Sequence, residues 1–488
     1  MAHSAYTPGS LWSRQHLAWR DLSPYNALAT GAVRAGTGAL AKRHHEFRDP
    51  IHTFIRAESA ERAVIDSIYY QRLRHIHQLA MSHLVYPGAT HTRFEHCLGV
   101  MELAGRVYDV ITHQDNIHPK IRELDFIHDK GSEHWQSYRT TVRMAALCHD
   151  LGHLPFSHGP EDLLPKDGNG AQWTHERIGY EIIMLPELKD LWRSLHVYPE
   201  VVAKLSIGEK ECSKFDKSIK FTLWESILSE IVTGNALGVD RMDYLLRDSL
   251  HAGVAYGKFD HYRLIDTIRI LPKEEGSDEP FLGIDAGGLP SAEQMLLARY
   301  FMFNQVYLHP IRRAYDMHLV EFLAKWLPGG KFPTAIAEHH KLTDNEVLAA
   351  MAEASRDTSH PGHTEARRIT NREHFKVLWS RNPADKQKNV DAIECVYKAA
   401  VEKFGAENIR KDAYSKNKGP DAFPVLMSGG EIAYSNAASD TLSKIPFENI
   451  EFVFVSRDCV QGARKWLREN NSSIIHEQGC DCKGEGNG

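Results

Sequence analysis

The chain has 488 residues, 42% of them hydrophobic and 25% charged, with a formal net charge of -6, which fits a folded globular protein of one large domain or two. No apolar run approaches the roughly 18 residues of a membrane helix, and Met1-Ala-His-Ser-Ala-Tyr lacks the charged flank and apolar core of a secretory signal, so the expected setting is cytoplasmic with no membrane partner. The acidic balance gives no general footprint for nucleic acid and favours small anionic ligands held at a local basic site.

In chain order, residues 1–45 read as a Gly/Ala-rich N-terminal arm without periodicity. Helix is expected next: Ser59 to Leu79 repeats apolar residues at three and four, the spacing of one helical face. Tyr86-Pro-Gly-Ala is a turn. Arg93–Ile111 and Thr140–Leu151 read as buried helices, separated by a polar, His-rich insertion at about 113–137. Pro155 and Gly159-Pro160 end the second. Thr222 to Leu250 is a helical region broken near Thr233-Gly-Asn, and Ala292 to Trp326 a helix pair around His309-Pro310. Residues 332–410 read as further helices, one opening at the capping box Thr343-Asp-Asn-Glu346. Phe423-Pro-Val-Leu-Met and Ile450-Glu-Phe-Val-Phe-Val-Ser are strand-like, and Cys459 to Asn470 is a closing helix. The expected fold is mainly α: a helical core over 46–330, a C-terminal helical and α+β region over 331–475, and a disordered tail from 476. Seven cysteines, an odd number from Cys97 to Cys482, do not form a disulfide framework.

Chemistry concentrates in Ala145-Ala-Leu-Cys-His149-Asp150-Leu-Gly-His153-Leu-Pro-Phe-Ser-His158. On a helix His149 and His153 share a face, with Asp150 about 100 degrees round. Imidazole and carboxylate are ligands for Zn, Mn or Fe. Charge beside the apolar Ala-Ala-Leu would cost several kcal/mol without a metal or partners to compensate.

Two further segments, Thr90-His-Thr-Arg-Phe-Glu-His96 and Gly238-Val-Asp240-Arg-Met-Asp-Tyr-Leu-Leu-Arg-Asp248, give the ordered set His, His-Asp, Asp. In this the sequence resembles the HD-domain phosphohydrolases. The resemblance implies that His96, His149, Asp150 and Asp240 hold one divalent ion, for which Fe, Mn, Zn, Ni and Mg all remain open. From Asp49-Pro-Ile-His through Gln71-Arg-Leu-Arg, Gln78-Leu79 and Val85-Tyr-Pro-Gly-Ala to Tyr315 the chain is similar to the deoxynucleoside triphosphate (dNTP) triphosphohydrolases, which include the sterile-alpha-motif/HD-domain enzymes. The N-terminal arm is too short for a sterile-alpha-motif domain.

That likeness implies cleavage of a dNTP to deoxynucleoside and inorganic triphosphate, with Mg on the substrate phosphates. It gives acid/base work to His153, His158 and His175, with Glu176 orienting its neighbour. Arg93 and Arg241 are implied as phosphate contacts, Tyr244 and Asp248 as sugar contacts, and Gln78 and Leu79 as residues crowding the 2' position. Asp240, Tyr244, Arg247 and Asp248 lie on one helical face, whose plainer reading is an exposed salt-bridge ladder.

Leu308-His309-Pro-Ile-Arg-Arg-Ala-Tyr315 aligns in two registers two residues apart, on His309 or on Arg-Arg-Ala-Tyr, and the second makes Tyr315 the sugar-stacking group. The expected triphosphate arginine is missing near Val306, which implies either reduced selectivity for triphosphates or compensation by Arg312 or Arg313. Asp66, Gln71 and Arg74 match part of an activator-nucleotide site, although His45 replaces a lysine. Such a site implies a homo-oligomer, whether dimer, tetramer or hexamer. Two alternatives stay open: another HD phosphohydrolase, acting as nucleotidase, phosphodiesterase or nuclease, and a non-catalytic nucleotide sensor in phage defence.

Overall fold

A computed structural model describes residues 44–124, 127, 129–415, 421–446 and 449–476. The arm up to residue 43 and the tail from 477 lie outside the described residues. The described chain is mainly helical with small sheets, and among its residues no helix is long and apolar enough to cross a membrane.

It opens on an antiparallel hairpin, His44–Asp49 with Thr53–Glu58, where helix was expected from 46. Ile55 and Ala57 alternate inward, the period of a half-buried strand. The helix expected from Ser59 to Leu79 is instead three short pieces, Ser59–Ile65, Ile68–Gln71 and Arg72–His75. Ser67 interrupts it: its side chain accepts from the Tyr70 amide and starts a new helix.

Three helices frame the site. Arg93–Ile111 starts at a capping box of Thr92 and Glu95, Glu133–Cys148 starts at the Ser132 cap, and Val239–Ala252 ends at left-handed Gly253. Arg93–Ile111 packs against both others. Gly99 lets it approach the third, since a Cβ there would lie 1.9 Å from the Asp243 carboxylate.

The second helix starts before the predicted Thr140 and stops at Cys148, so His149 to His153 lie in turns rather than on a helical face. Gly152 lies in these turns. The helix His175–Ile183 presses against it so closely that a Cβ would meet the His175 carbonyl at 2.0 Å.

Leu289–Met302 and Pro310–Trp326 form the expected pair, joined by a π-helical turn over Phe303–Tyr307. The four-stranded sheet was only partly foreseen. Its strands Ile268–Pro272 and Pro280–Asp285 come from the core, and Pro424–Leu426 and Ile432–Tyr434 from the C-terminal region. Ile284 and Asp285 pair with Val425 and Leu426, so the C-terminal region adds strands to a core sheet. A second sheet orders Lys376–Ser380, Asn449–Val455 and Ile409–Ser415, with Ala392–Phe404 and Val460–His476 packed on it around their own apolar cluster. Lys376–Ser380 falls where only helices were expected.

Candidate metal centre and active site

His96 stands one turn into Arg93–Ile111, His149 and Asp150 follow the end of Glu133–Cys148, and Asp240 opens Val239–Ala252. The fold brings the four together. His96 Nε2 is 3.1 Å from Asp240 Oδ1, and His149 Nε2 is 3.5 Å from the same oxygen and 3.4 Å from Asp150 Oδ1. Donors on one ion at bonds of about 2.1 Å sit about 3.0 to 3.4 Å apart. His149 Nδ1 bonds the Ala146 carbonyl at 2.8 Å, while buried His149 Nε2 has no hydrogen-bond partner. An orphaned imidazole nitrogen facing two carboxylates fits a divalent cation.

The groups behind these residues escaped the sequence reading. Asp243 takes His96 Nδ1 at 2.9 Å, His52 Nε2 at 2.7 Å and Arg247 Nε at 2.8 Å, and Arg247 Nη1 reaches Asp49 Oδ2 at 2.8 Å. Asp243 and Arg247 are wholly buried. Arg247 therefore belongs to a core network and not to an exposed ladder with Asp240 and Asp248. The Asp243 bond fixes the His96 ring so that Nε2 faces the site. Burial opposes charge on His96 and His149, but Asp240 and Asp243 hold the first, and Asp150 above all the second, above the ordinary imidazole pKa. Asp240 resists burial in the same way, held well below the carboxylate range by His149 and His96.

Arg93 binds Asp150 through Nη1 and Ser157 Oγ through Nε at 3.0 Å. His153 Nε2 lies 3.2 Å from Asp150 Oδ1, and its ring stacks on His175 with centroids 3.9 Å apart. His158 completes the cluster, 4.7 Å from His153 and 5.0 Å from His175 by ring centroid. The chain turns back to place it through Phe156 and Ser157, both left-handed at φ 58° and 63°. Side chains without glycine's freedom hold that conformation only when pinned. Asp344 Oδ1 accepts the Phe156 amide at 2.7 Å, and Ser157 Oγ donates to the His77 carbonyl at 2.9 Å.

The carboxylate nearest His175 Nδ1 is Glu161, at 2.6 Å, against 3.4 Å for Glu176. Glu161 also accepts the His175 amide, which makes it the stronger orienting group. Burial lowers the pKa of His153 far below the ordinary value, helped by Arg93 and His175. For His175 burial also opposes charge, but Glu176 and Glu161 outweigh it and raise the pKa.

These groups open on a cavity of about 1550 Å³. Gln78, Leu79, Arg93, Arg241, Tyr244 and Asp248 line it, as do Glu176 and the three imidazoles. Arg241 is already engaged by the Thr233 and Gly234 carbonyls and Asn235 Oδ1. Tyr315 does not line it: the ring is fully buried and packs on His374. The aromatic at the cavity is Tyr307, whose hydroxyl donates to Asp248 Oδ2 at 2.8 Å, while His91 holds Asp248 Oδ1 at 2.7 Å. Arg312 also lines the cavity, with Nη1 on the Tyr307 carbonyl. Arg313, though beside it, is fastened to Asp412 at 2.7 and 2.6 Å.

Asp66, Gln71 and Arg74 lie outside this cavity lining. Arg74 Nε donates to Gln71 Oε1 at 2.8 Å, and Arg62 joins Asp66 Oδ2 at 3.0 Å to His45 Nδ1 at 2.8 Å.

Residues 93–205 match the HD domain and residues 259–412 the HD associated region. A solved hypothetical protein from Aquifex aeolicus is 31% identical, with a TM-score of 0.70 over 87% of this chain and 100% of that one. A phosphohydrolase from Bacteroides thetaiotaomicron shares the fold at 23% identity and a TM-score of 0.62, over 85% of this chain and 100% of that one. Deoxynucleoside triphosphate triphosphohydrolase SAMHD1 of Gallus gallus is 30% identical over 369 residues, 69% of this chain and 56% of the relative. An uncharacterized protein of Bacillus subtilis, YwfO, is 32% identical over 57% of this chain and 54% of its own. The chain spans about half the length of the curated relatives it matches.

Proposed function

The chain belongs to the HD-domain phosphohydrolases, and from that membership we propose that it is a metal-dependent dNTP triphosphohydrolase, cleaving its substrate to deoxynucleoside and inorganic triphosphate. The observation that carries this reading is one cavity holding both an orphaned His149 Nε2 among carboxylates and, one carboxylate away, a pair of stacked imidazoles with pKa values pushed apart.

His96, His149, Asp150 and Asp240 would hold the divalent ion, with Mg on the substrate phosphates. When bound, such an ion supplies Lewis acidity at a phosphoryl oxygen and lowers the pKa of water. The residues of the chain do the rest. Water attacks the α-phosphorus, the bond to the 5'-oxygen breaks, and triphosphate leaves whole. The 5'-oxygen gains a proton as the attacking water loses one. His175, raised in pKa and fixed by Glu161, is the acid of the pair, and His153, kept neutral, is suited to accept a proton. His158 is the solvent-exposed member through which the cluster exchanges protons.

Arg93 and Arg312 clamp phosphate from the cavity wall, Arg241 adds positive charge, and Gln78 and Leu79 pack at the sugar. Tyr307 and Tyr244, with ring centroids 6.0 Å apart, border the Asp248 end of the cavity where the deoxyribose binds. The surface joining His45, Asp66, Gln71 and Arg74 is assigned to an activator nucleotide at a contact between subunits of a homo-oligomer. Sedimentation with and without added nucleotide tests that assignment.

The leading test is chromatographic. Metal-loaded protein incubated with each dNTP yields deoxynucleoside and triphosphate, and release of monophosphate or orthophosphate alone would sink the proposal.

A further inference from the structure

The helix Pro310–Trp326 turns one face to the cavity, where Arg312, Arg313, Asp316, Met317 and Val320 recur at the spacing of successive turns. Asp316 is the odd member. It is only 5% exposed, and among the described residues it alone has both buried carboxylate oxygens without a hydrogen-bond partner. A buried acceptor left without donors is costly, so it calls for a group that the chain does not supply. Arg312 lends charge, with Nη2 3.4 Å from Oδ2, while Arg313 is committed to Asp412. Burial raises the Asp316 pKa, and these two guanidiniums oppose that rise in favour of the ionised, acceptor-only form. Gly159, which follows His158, adds no side chain before the carboxylate; even a Cβ there would stand 3.7 Å from Oδ1.

Around Asp316 the cavity wall is largely apolar. Phe303, Leu308, Met317 and Val320 line it, next to Tyr307 at the end assigned to the sugar, and the Phe303 ring meets Tyr307 edge-on at 5.1 Å. An apolar space with one convergent polar group suits a nucleobase, which packs by its faces and is read along its edge.

We propose that Asp316 reads the base of the dNTP and selects guanine, whose N1–H and 2-amino N–H present two adjacent donors to its two oxygens. This rests on the reading of the cavity as a dNTP site and deepens it. Adenine and cytosine each offer one donor beside a ring-nitrogen acceptor, and thymine offers one donor between two carbonyls. Each of these places a lone pair against the carboxylate.

Turnover of the four dNTPs and dITP by metal-loaded protein, together with calorimetric binding of the four α,β-imido dNTP analogues, tests the assignment. The kcat/KM for dGTP is expected to exceed that for each other dNTP by about 10-fold or more, the effect of one hydrogen bond to a charged group. dITP keeps N1–H and lacks the 2-amino group, so it falls between, a comparison that needs no variant. Asp316→Asn exchanges one acceptor for a donor, and its preference for dGTP over dATP drops by about 10-fold or more, with circular dichroism to verify the fold. Equal kcat/KM for dGTP and dATP in the unaltered protein, or an unchanged preference in Asp316→Asn, overturns the base assignment and leaves the dNTP reading standing. Tighter binding of the guanine analogue with a product other than triphosphate would uphold Asp316 and remove the proposed reaction instead. If none of the analogues binds, both fall.

Discussion

Asp243 acts on the proposed HD ion only through His96, holding Nδ1 so that Nε2 is presented. Asp243→Asn is expected to weaken metal affinity by about 10- to 100-fold, the usual effect of losing an outer carboxylate, read by competition against a chelator. The same change unbalances buried Arg247, so a lower unfolding midpoint accompanies it. Glu161→Gln removes a charge that raises the His175 pKa. An acid works only below its pKa, so the alkaline limb of the kcat/KM profile shifts to lower pH, while the ion at His96, His149, Asp150 and Asp240 stays in place. The four candidate ligands stood out in the sequence because His149 and Asp150 adjoin, and because the resemblance to the HD pattern picks out His96 and Asp240. Asp243 left a fainter signal, three residues after Asp240 and four before Arg247, which only burial turns into a network. Glu161 left none, since it meets His175 across 14 residues with no helical repeat between them.

Among elements, the break after Cys148 shapes the site more than any helix does. Chain pattern read Thr140 to Leu151 as continuous helix because Ala-Ala-Leu-Cys continues the apolar face, whereas the turns after Cys148 pack through Gly152 on the helix His175–Ile183, a contact that the local pattern does not carry. Gly152→Ala forces those segments apart by the clash with the His175 carbonyl. A thermal midpoint lower by several degrees is expected, on the scale of about 1 to 3 kcal/mol for overpacking, with activity reduced at temperatures where the protein is still folded. The π-helical turn Phe303–Tyr307 joins the two helices of this pair, and Tyr307 on it, rather than Tyr315, lines the cavity. The hairpin at His44–Glu58 and the strands at 268–285 were hidden because each run is only five or six residues long, and Pro280–Asp285 also pairs with Val425 and Leu426 far along the sequence.

At the level of the molecule, acid acts on buried histidines beyond the site. Burial, with Lys376 and Arg372 beside it, lowers the His374 pKa to about 4, and burial drives His339 lower than ordinary as well. The unfolded chain therefore takes up protons first. This contribution is complete above about pH 6.5 and drains away as pH falls toward 4. Urea midpoints at pH 7 and pH 5 should differ in that direction, and His374→Leu should narrow the gap. The C-terminal region enters the same whole: Arg72 donates both to the Leu342 carbonyl and to that of His153, and Asp344 grips His77 and Phe156. Asp344 and the residues it holds are 267 and 188 positions apart in sequence. A clasp closed over so long a stretch of chain pays its loop entropy only once both ends are in place. During synthesis, residues 93–158 emerge from the ribosome long before residue 344, so the left-handed turn at Phe156 and Ser157 that carries His158 is fastened only after the chain has grown well past it.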